Sequence, residues 1–532
     1  MEAMMIRSWR FTLPILLGFV TAPASAAEEH AGHPVLGTVH FPVTCTPEAQ
    51  QVFDEAMKLQ HSFWYQAAHD AFSEVLRRDP ECAMAYWGIA MTLLTNPFSP
   101  PSAKNLADGW AALEQARQLA AKSEREADYI AALSEFYRDA DTRDHRTRVL
   151  AYEEAMAQLH ARYSDDPEAA IYYALALNVA ALPTDKTYAK QLEAAEILEA
   201  ELARQPDHPG VVHYLIHTYD YPPLAERGLE AADRYAELAA SAPHALHMPS
   251  HIFTRLGLWD RSIETNRRSA EVARAGKEVN GELHARDYRV YAYLQTGRDE
   301  AARQAIAEAL QFAGTESTSP AGPFALAAMP ARFALERSAW EEAANLTPQS
   351  SDFAFADAMT HFARAVGLAR SGKPDAAAAD VEALQRLADA LRASSAYWAE
   401  QVDIQHMAAT AWIAYAEGRR DEALAMMRRA AEIEAGTEKH VITPGPLAPA
   451  REQLAEMLLA ADRPAEALAE FEAVQRVEPN RFRALAGAGR AAELAGDRAA
   501  AKRYYGQVVE MAAAADTVRP EIEAARAFVS AN

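Results

Sequence analysis

The chain has 532 residues, half of them apolar, and a formal net charge of −23. So acidic a surface repels phosphate backbones and anionic headgroups, and no lysine or arginine cluster is dense enough to reverse this, which excludes nucleic acid as a partner. Alanine, leucine, glutamate and arginine dominate, strand-like runs are scarce, and Gly and Pro fall mostly between periodic stretches, so the composition points to an all-helical protein.

At the N-terminus, Arg7 and Arg10 precede the apolar run FTLPILLGFV (11–20), and ASA (24–26) supplies the small residues a signal peptidase requires. Residues 1–26 therefore read as a signal peptide cleaved after Ala26, and the mature chain is expected to be periplasmic or secreted. No later stretch approaches the roughly 18 apolar residues of a membrane span. Residues 27–47 form a short N-terminal segment. The two cysteines, Cys45 and Cys82, are expected to join as a disulfide in an oxidising compartment, the alternative being two separate buried thiols.

From residue 48 the chain repeats. The turn motifs TGRDEAA (296–302), SGKPDAA (371–377), EGRRDEA (417–423) and AGDRAAA (495–501) each place Gly at a helix C-terminus and then an acidic or small residue that opens the next helix. Ala455, Ala467 and Phe471 recur 34 positions later as Gly489, Ala501 and Tyr505, with Pro479 closing the first unit, and Ala56 and Ala90 show the same step. In these features the sequence resembles the tetratricopeptide repeat (TPR) family. HDAFSEVLRRDP (69–80) fits the family's repeat ending, with Ala68, Phe72 and Pro80 at its small, aromatic and proline positions. The resemblance covers most of 48–515 and implies a right-handed superhelical solenoid, of roughly ten helix pairs here, whose concave wall is lined by the first helix of each pair. One pair cannot bury its own apolar face, so neighbours must stack and leave a continuous groove. The array divides into N-terminal repeats (48–208), histidine-rich central repeats (209–275), further repeats (276–439), a loop at 440–450 that reads as a small hinge, and C-terminal repeats with a cap helix (451–532).

The central repeats carry the chemistry. In HYLIHTYDYPP (213–223), His213, His217 and Asp220 share one helix face at i, i+4, i+7 spacing. In PHALHMPSHIF (243–253), numbering the repeat from Pro243 puts His244, His247 and His251 at groove-facing positions, and His284 falls at the equivalent place in the next repeat. Two neighbouring first helices would then bring five imidazoles and a carboxylate to one patch. Neutral imidazole is the commonest transition-metal ligand, so a divalent site is expected, with zinc and, given Met248 close by, copper as the candidates. The alternatives are a structural histidine network or recognition of an anionic peptide or small molecule. Pro249 interrupts the helix, which predicts either a kink or a helix that begins near Pro249. Both strings are similar to those of a group of exported bacterial TPR proteins, a resemblance that sharpens the site and implies no activity.

Other motifs are weaker. HYLIH has zincin spacing, but Tyr214 stands where the general base would be, and only Asp220 or Glu226 could replace it, so a metal-dependent hydrolase is a second alternative and the chain leans away from being an enzyme. GLARSGK (367–373) lacks the hydroxyl residue of a phosphate loop and reads as a repeat turn. His61, Trp64, Met84, Trp87 and Met91 form a second stripe that could grip an apolar peptide anchor, with packed core as the rival reading. The expected function is thus an exported scaffold or binding protein that takes a protein or peptide in its groove and holds a metal on its concave face.

Overall fold

The computed structural model describes Met1 and residues 34–119, 122–315, 317 and 319–531. The expected signal peptide and its cleavage point lie outside the described residues. From Val35 onward the chain is an all-α solenoid, with no strand among the described residues. No described helix is long and apolar enough to cross a membrane.

Helices come in pairs joined by tight turns. The first helices of successive pairs begin at Pro47, Ala83, Glu124, Pro167, Pro209, Pro243, Val279, Ala321, Ala354, Ala396, Ala450 and Phe482, and Pro520–Ala531 caps the array. These twelve pairs exceed the roughly ten expected. The step is 34 residues from Pro209 to Pro243 but 54 from Ala396 to Ala450, so a fixed period undercounts. The four turn-motif glycines behave as their position requires: Gly297, Gly372, Gly418 and Gly496 all take positive φ, at 71°, 74°, 88° and 80°, the left-handed helix ending that side chains with a Cβ resist.

Stacking between pairs uses a recurrent fit. A Cβ added to Gly88 would stand 2.4 Å from the Phe72 ring, and one added to Gly487 would stand 2.3 Å from Phe471. In both cases the aromatic ring of one pair enters the space left by a glycine sixteen positions later, in the first helix of the next pair. The resulting apolar cores run from Leu36 to Phe253 and from Phe324 to Ala525, with a smaller one between them.

The solenoid closes on itself. Helix Pro47–His61 packs against helix Pro209–Tyr219, four pairs later. The segment before it is bound across the same seam: Val35 N donates to Ser241 Oγ (2.8 Å) and Thr38 N to Asp207 O (2.8 Å). Cys45 and Cys82 form the expected disulfide, with a Cα–Cα distance of 5.1 Å, and tie the start of the first pair to the start of the second. A second seam joins the C-terminal pairs to the middle of the chain, where Phe482 N donates to Gln295 Oε1 (2.9 Å) and the buried Arg481 guanidinium meets Glu452, Glu336 and the Tyr291 hydroxyl.

The stretch at 440–450, expected as a hinge, is instead a strap. Tyr288 OH donates to Val441 O and Thr443 O (3.1 Å each), the buried Arg332 donates to Gly445 O and Pro446 O, and Glu438 N donates to Pro183 O (2.8 Å). The groove beside the central repeats is therefore covered by the chain's own backbone.

Replacing both Cys45 and Cys82 by alanine releases a loop of 37 residues, for which chain entropy sets a cost of about 3 to 4 kcal/mol. The double variant is expected to unfold at a lower temperature by circular dichroism. An unchanged midpoint would mean that packing alone holds the N-terminal segment.

Candidate metal centre

Helix Pro209–Tyr219 starts with Pro at its first position and His208 as its cap, the His208 ring accepting from Val211 N (3.3 Å). This sets His213 and His217 one turn apart on the inner face. The next first helix is kinked, as one of the two sequence alternatives held: Pro243–His247 runs through Met248, still in the right-handed helical region, into Pro249–Arg255. His244, His247 and His251 stay on the inner face through the kink, and His284 joins them from helix Val279–Gln295.

The rings converge in two groups of three: His213, His217 and His244, and His247, His251 and His284. In the first, His213 Nε2 lies 3.1 Å from His217 Nε2 and 3.2 Å from His244 Nε2. In the second, His247 Nε2 lies 3.0 Å from His251 Nε2, and the His284 ring centre is 4.4 Å from that of His247. Two rings of each group are buried; His244 and His284 are mostly buried.

The far nitrogens decide where the protons are. His251 Nδ1 faces Asp220 Oδ2 at 2.8 Å. Burial by itself would raise the Asp220 carboxyl, but Lys439, Arg255 and His251 overcome it and hold it well below the usual carboxylate range. A carboxylate only accepts, so His251 Nδ1 donates. His247 Nδ1 faces Asn266 Oδ1 at 2.7 Å, and the orientation of that amide follows from Asn266 Nδ2 donating to Ser262 O (2.8 Å), so His247 Nδ1 donates as well. In neutral rings both Nε2 atoms are then bare, and two lone pairs face each other across 3.0 Å. His213 Nδ1 donates to His61 O (2.7 Å), leaving its Nε2 a single lone pair with two imidazole neighbours. His217 Nδ1 is buried without a hydrogen-bond partner.

Protonation does not relieve this. Burial, reinforced by neighbouring imidazoles, holds His213, His217, His244, His247 and His284 well below the usual imidazole range. His251 is lowered too, by burial, with Asp220 opposing.

A third group, His61, Glu168 and His208, behaves differently. Glu168 accepts from His61 Nε2 and His208 Nε2 (3.0 Å each), while His61 Nδ1 lies 3.0 Å from the Tyr214 hydroxyl and His208 Nδ1 accepts from Val211 N. Here two carboxylate oxygens, a hydroxyl and an amide satisfy every ring nitrogen with ordinary protons. It is a closed structural network.

Several expected site residues take other places. Asp220 is not among the converging ligand atoms; it stands behind His251, bound also by Arg255 (2.8 Å) and by Lys439, just before the strap (3.2 Å). Met248 is fully buried in the apolar core. His61 supports His213 through its carbonyl, and Trp87 is core, edge-on to Phe41, Tyr129 and Tyr172. Glu226 is exposed on the turn Ala225–Gly228 and Asp220 is occupied, so neither is free to act as the base that HYLIH lacks.

Glu168, His208, Asn266, Arg255 and Lys439 went unnoticed in the sequence. Only His208 left a signal, as a cap immediately before Pro209. Aromatic rings wall the histidines: Phe63 lies 4.4 Å from His213, Phe98 4.7 Å from His217 and Tyr288 4.7 Å from His247.

No family model matches the chain, and no curated protein does. Among solved structures, the human IFIT1 dimer with m7Gppp-AAAA aligns over 89% of this chain and 92% of that one, at 12% identity and a TM-score of 0.38. Yeast Tom70 aligns over 91% and 95%, at 12% identity and a TM-score of 0.30. At such scores neither alignment bears on activity, and the architecture rests on this chain's own helices.

Long-range ¹H–¹⁵N spectra of metal-free, histidine-labelled protein at pH 6.5 are expected to show His213, His247 and His251 as neutral rings protonated at Nδ1. An imidazolium signal from His247 or His251 would contradict the proton assignment.

Proposed function

We propose that the protein is an exported TPR-like scaffold that binds a transition metal through its three-histidine groups. The observation that carries this reading is the His247–His251 pair. Both rings spend their proton on an outer acceptor, and their Nε2 lone pairs meet 3.0 Å apart in a buried site. Two unprotonated nitrogens so placed repel unless a cation lies between or beside them. Tetrahedral bonds of about 2.0 to 2.1 Å to one zinc-like ion put ligand nitrogens about 3.3 to 3.4 Å apart, close to the 3.0 to 3.2 Å of the His213–His217, His213–His244 and His247–His251 pairs.

The donors suit the chemistry. Imidazole serves zinc and copper alike, no thiolate or carboxylate stands among the converging atoms, and Asp220 and Asn266 sit behind His251 and His247 as the acceptors that orient metal-bound histidines. The disulfide suits an oxidising compartment, which supports export. A purely structural role is what the His61–Glu168–His208 network looks like, and the paired Nε2 atoms depart from it. Hydrolysis has less support, because no free general base adjoins the histidines.

The full chain purified without a histidine tag is expected to contain zinc or copper by mass spectrometry, and the His247→Ala, His251→Ala double variant to lose the share held by the group of His247, His251 and His284 while keeping its helical circular dichroism. Metal-free protein that takes up neither ion on titration would leave a scaffold with a structural cluster.

Affinity also carries a pH signature. A protonated imidazole cannot bind, but these rings are held below the ordinary imidazole value. Affinity is therefore expected to stay level from pH 8 down through about 6.5, where a free histidine would already compete for protons, and to fall only at lower pH. A steady decline starting above pH 7 would oppose this. Asn266→Ala, which removes the His247 acceptor, is expected to weaken binding by about 10- to 100-fold with the six histidines intact.

A further inference from the structure

Each histidine group supplies three imidazoles, two buried and one mostly buried. The groups are also neighbours. Ring centres from different groups lie 5.9 Å apart for His217 and His251 and 6.0 Å for His244 and His247. Within the groups, His217 and His244 are 6.4 Å apart and His251 and His284 6.5 Å. These cross-group separations exceed the 4.4 to 5.0 Å between adjacent rings of one group but are shorter than the outermost pair of each, so the two sets are contiguous. The two polar side chains that orient the rings stand outside the pair of groups: Asp220 lies behind His251, and Asn266 behind His247.

We infer that the two groups form one dinuclear centre, in which six imidazoles hold two transition ions side by side and a small anion of the hydroxide or azide class bridges them. This rests on the metal reading above.

Two arguments lead there. Three imidazoles leave at least one coordination position open on each ion, and paired metal ions in proteins commonly lie about 3.5–4 Å apart. Two dications at such a separation also repel strongly. Six neutral donors do not compensate them, and Asp220 already faces Lys439 and Arg255. An anion must therefore come from outside the chain and sit where both ions reach it. His244 and His284, the least buried ring of each group, mark the side from which it would enter, while Phe63, Phe98 and Tyr288 lie against the rings.

Copper(II) is a probe that reports both number and adjacency. Wild-type full chain, the His244→Ala variant and the His284→Ala variant are loaded with Cu(II), washed, analysed for metal and examined by electron paramagnetic resonance with and without azide. The two substituted residues are the least buried of each group, and unchanged thermal unfolding of the variants verifies folding.

Wild type is expected to bind two more coppers than the His247→Ala, His251→Ala, His213→Ala triple variant, which cancels adventitious binding at surface histidines. Its integrated spin should fall well below two per chain because the bridged ions couple, and azide should shift the signal. Each single variant should lose one copper and show the full spin of the one that remains. Two coppers with two full spins and no azide effect would overturn the shared centre while leaving metal binding intact. One copper in wild type would do the same. No site-specific copper, together with no zinc, would remove the metal reading itself and this inference with it.

Discussion

The placement of protons on buried imidazoles is the constraint on which the rest of the site depends. A ring nitrogen removed from water needs a partner, and an unsatisfied one costs about 1 to 3 kcal/mol. At His61 and His208 the fold supplies a carboxylate, a hydroxyl and an amide, and every nitrogen is satisfied. At His247 and His251 it supplies strong acceptors only on the outer side, so the inner nitrogens face one another. The first cluster sets a carboxylate between two imidazoles and the second sets imidazole against imidazole, so their hydrogen-bond partners give them different chemistry.

That arrangement is available only because the solenoid closes. His213 is oriented by the carbonyl of His61, 152 residues earlier, and this contact exists because the first helix pair packs on the fifth. The disulfide and the segment 35–41 hold the first pair in position, and Gly210 permits the approach: a Cβ there would stand 2.3 Å from the His61 ring. Closure thus turns a groove into an interior, which explains why the rings are buried and poorly basic.

The residues just before the strap add a charge network. Lys439 reaches Asp220, Arg255 bonds to Asp220 and lies 3.7 Å from Glu438, and Glu438 is met by Lys186 and Tyr188. Buried ion pairs contribute little net stability against their desolvation. Their effect here is geometric: alternating charges on three distant stretches of chain fix the carboxylate that orients His251. Lys439 is itself pushed down to about 8 by burial, with Asp220 opposing.

Local sequence determined the helices, their turns and the histidine faces. Glycine at positive φ, proline at first helical positions and i, i+4 spacing act within a few residues and need no knowledge of the whole. The disulfide was also legible, because two cysteines leave one pairing. Tertiary structure alone decided that two groups of three form rather than one cluster, that Asp220 orients instead of converging, that Met248 and Trp87 are core, and that 440–450 covers the site. Each of these depends on which residues meet across a superhelical turn. That is set by the accumulated rotation of many irregular pairs, a quantity that no short stretch of sequence contains.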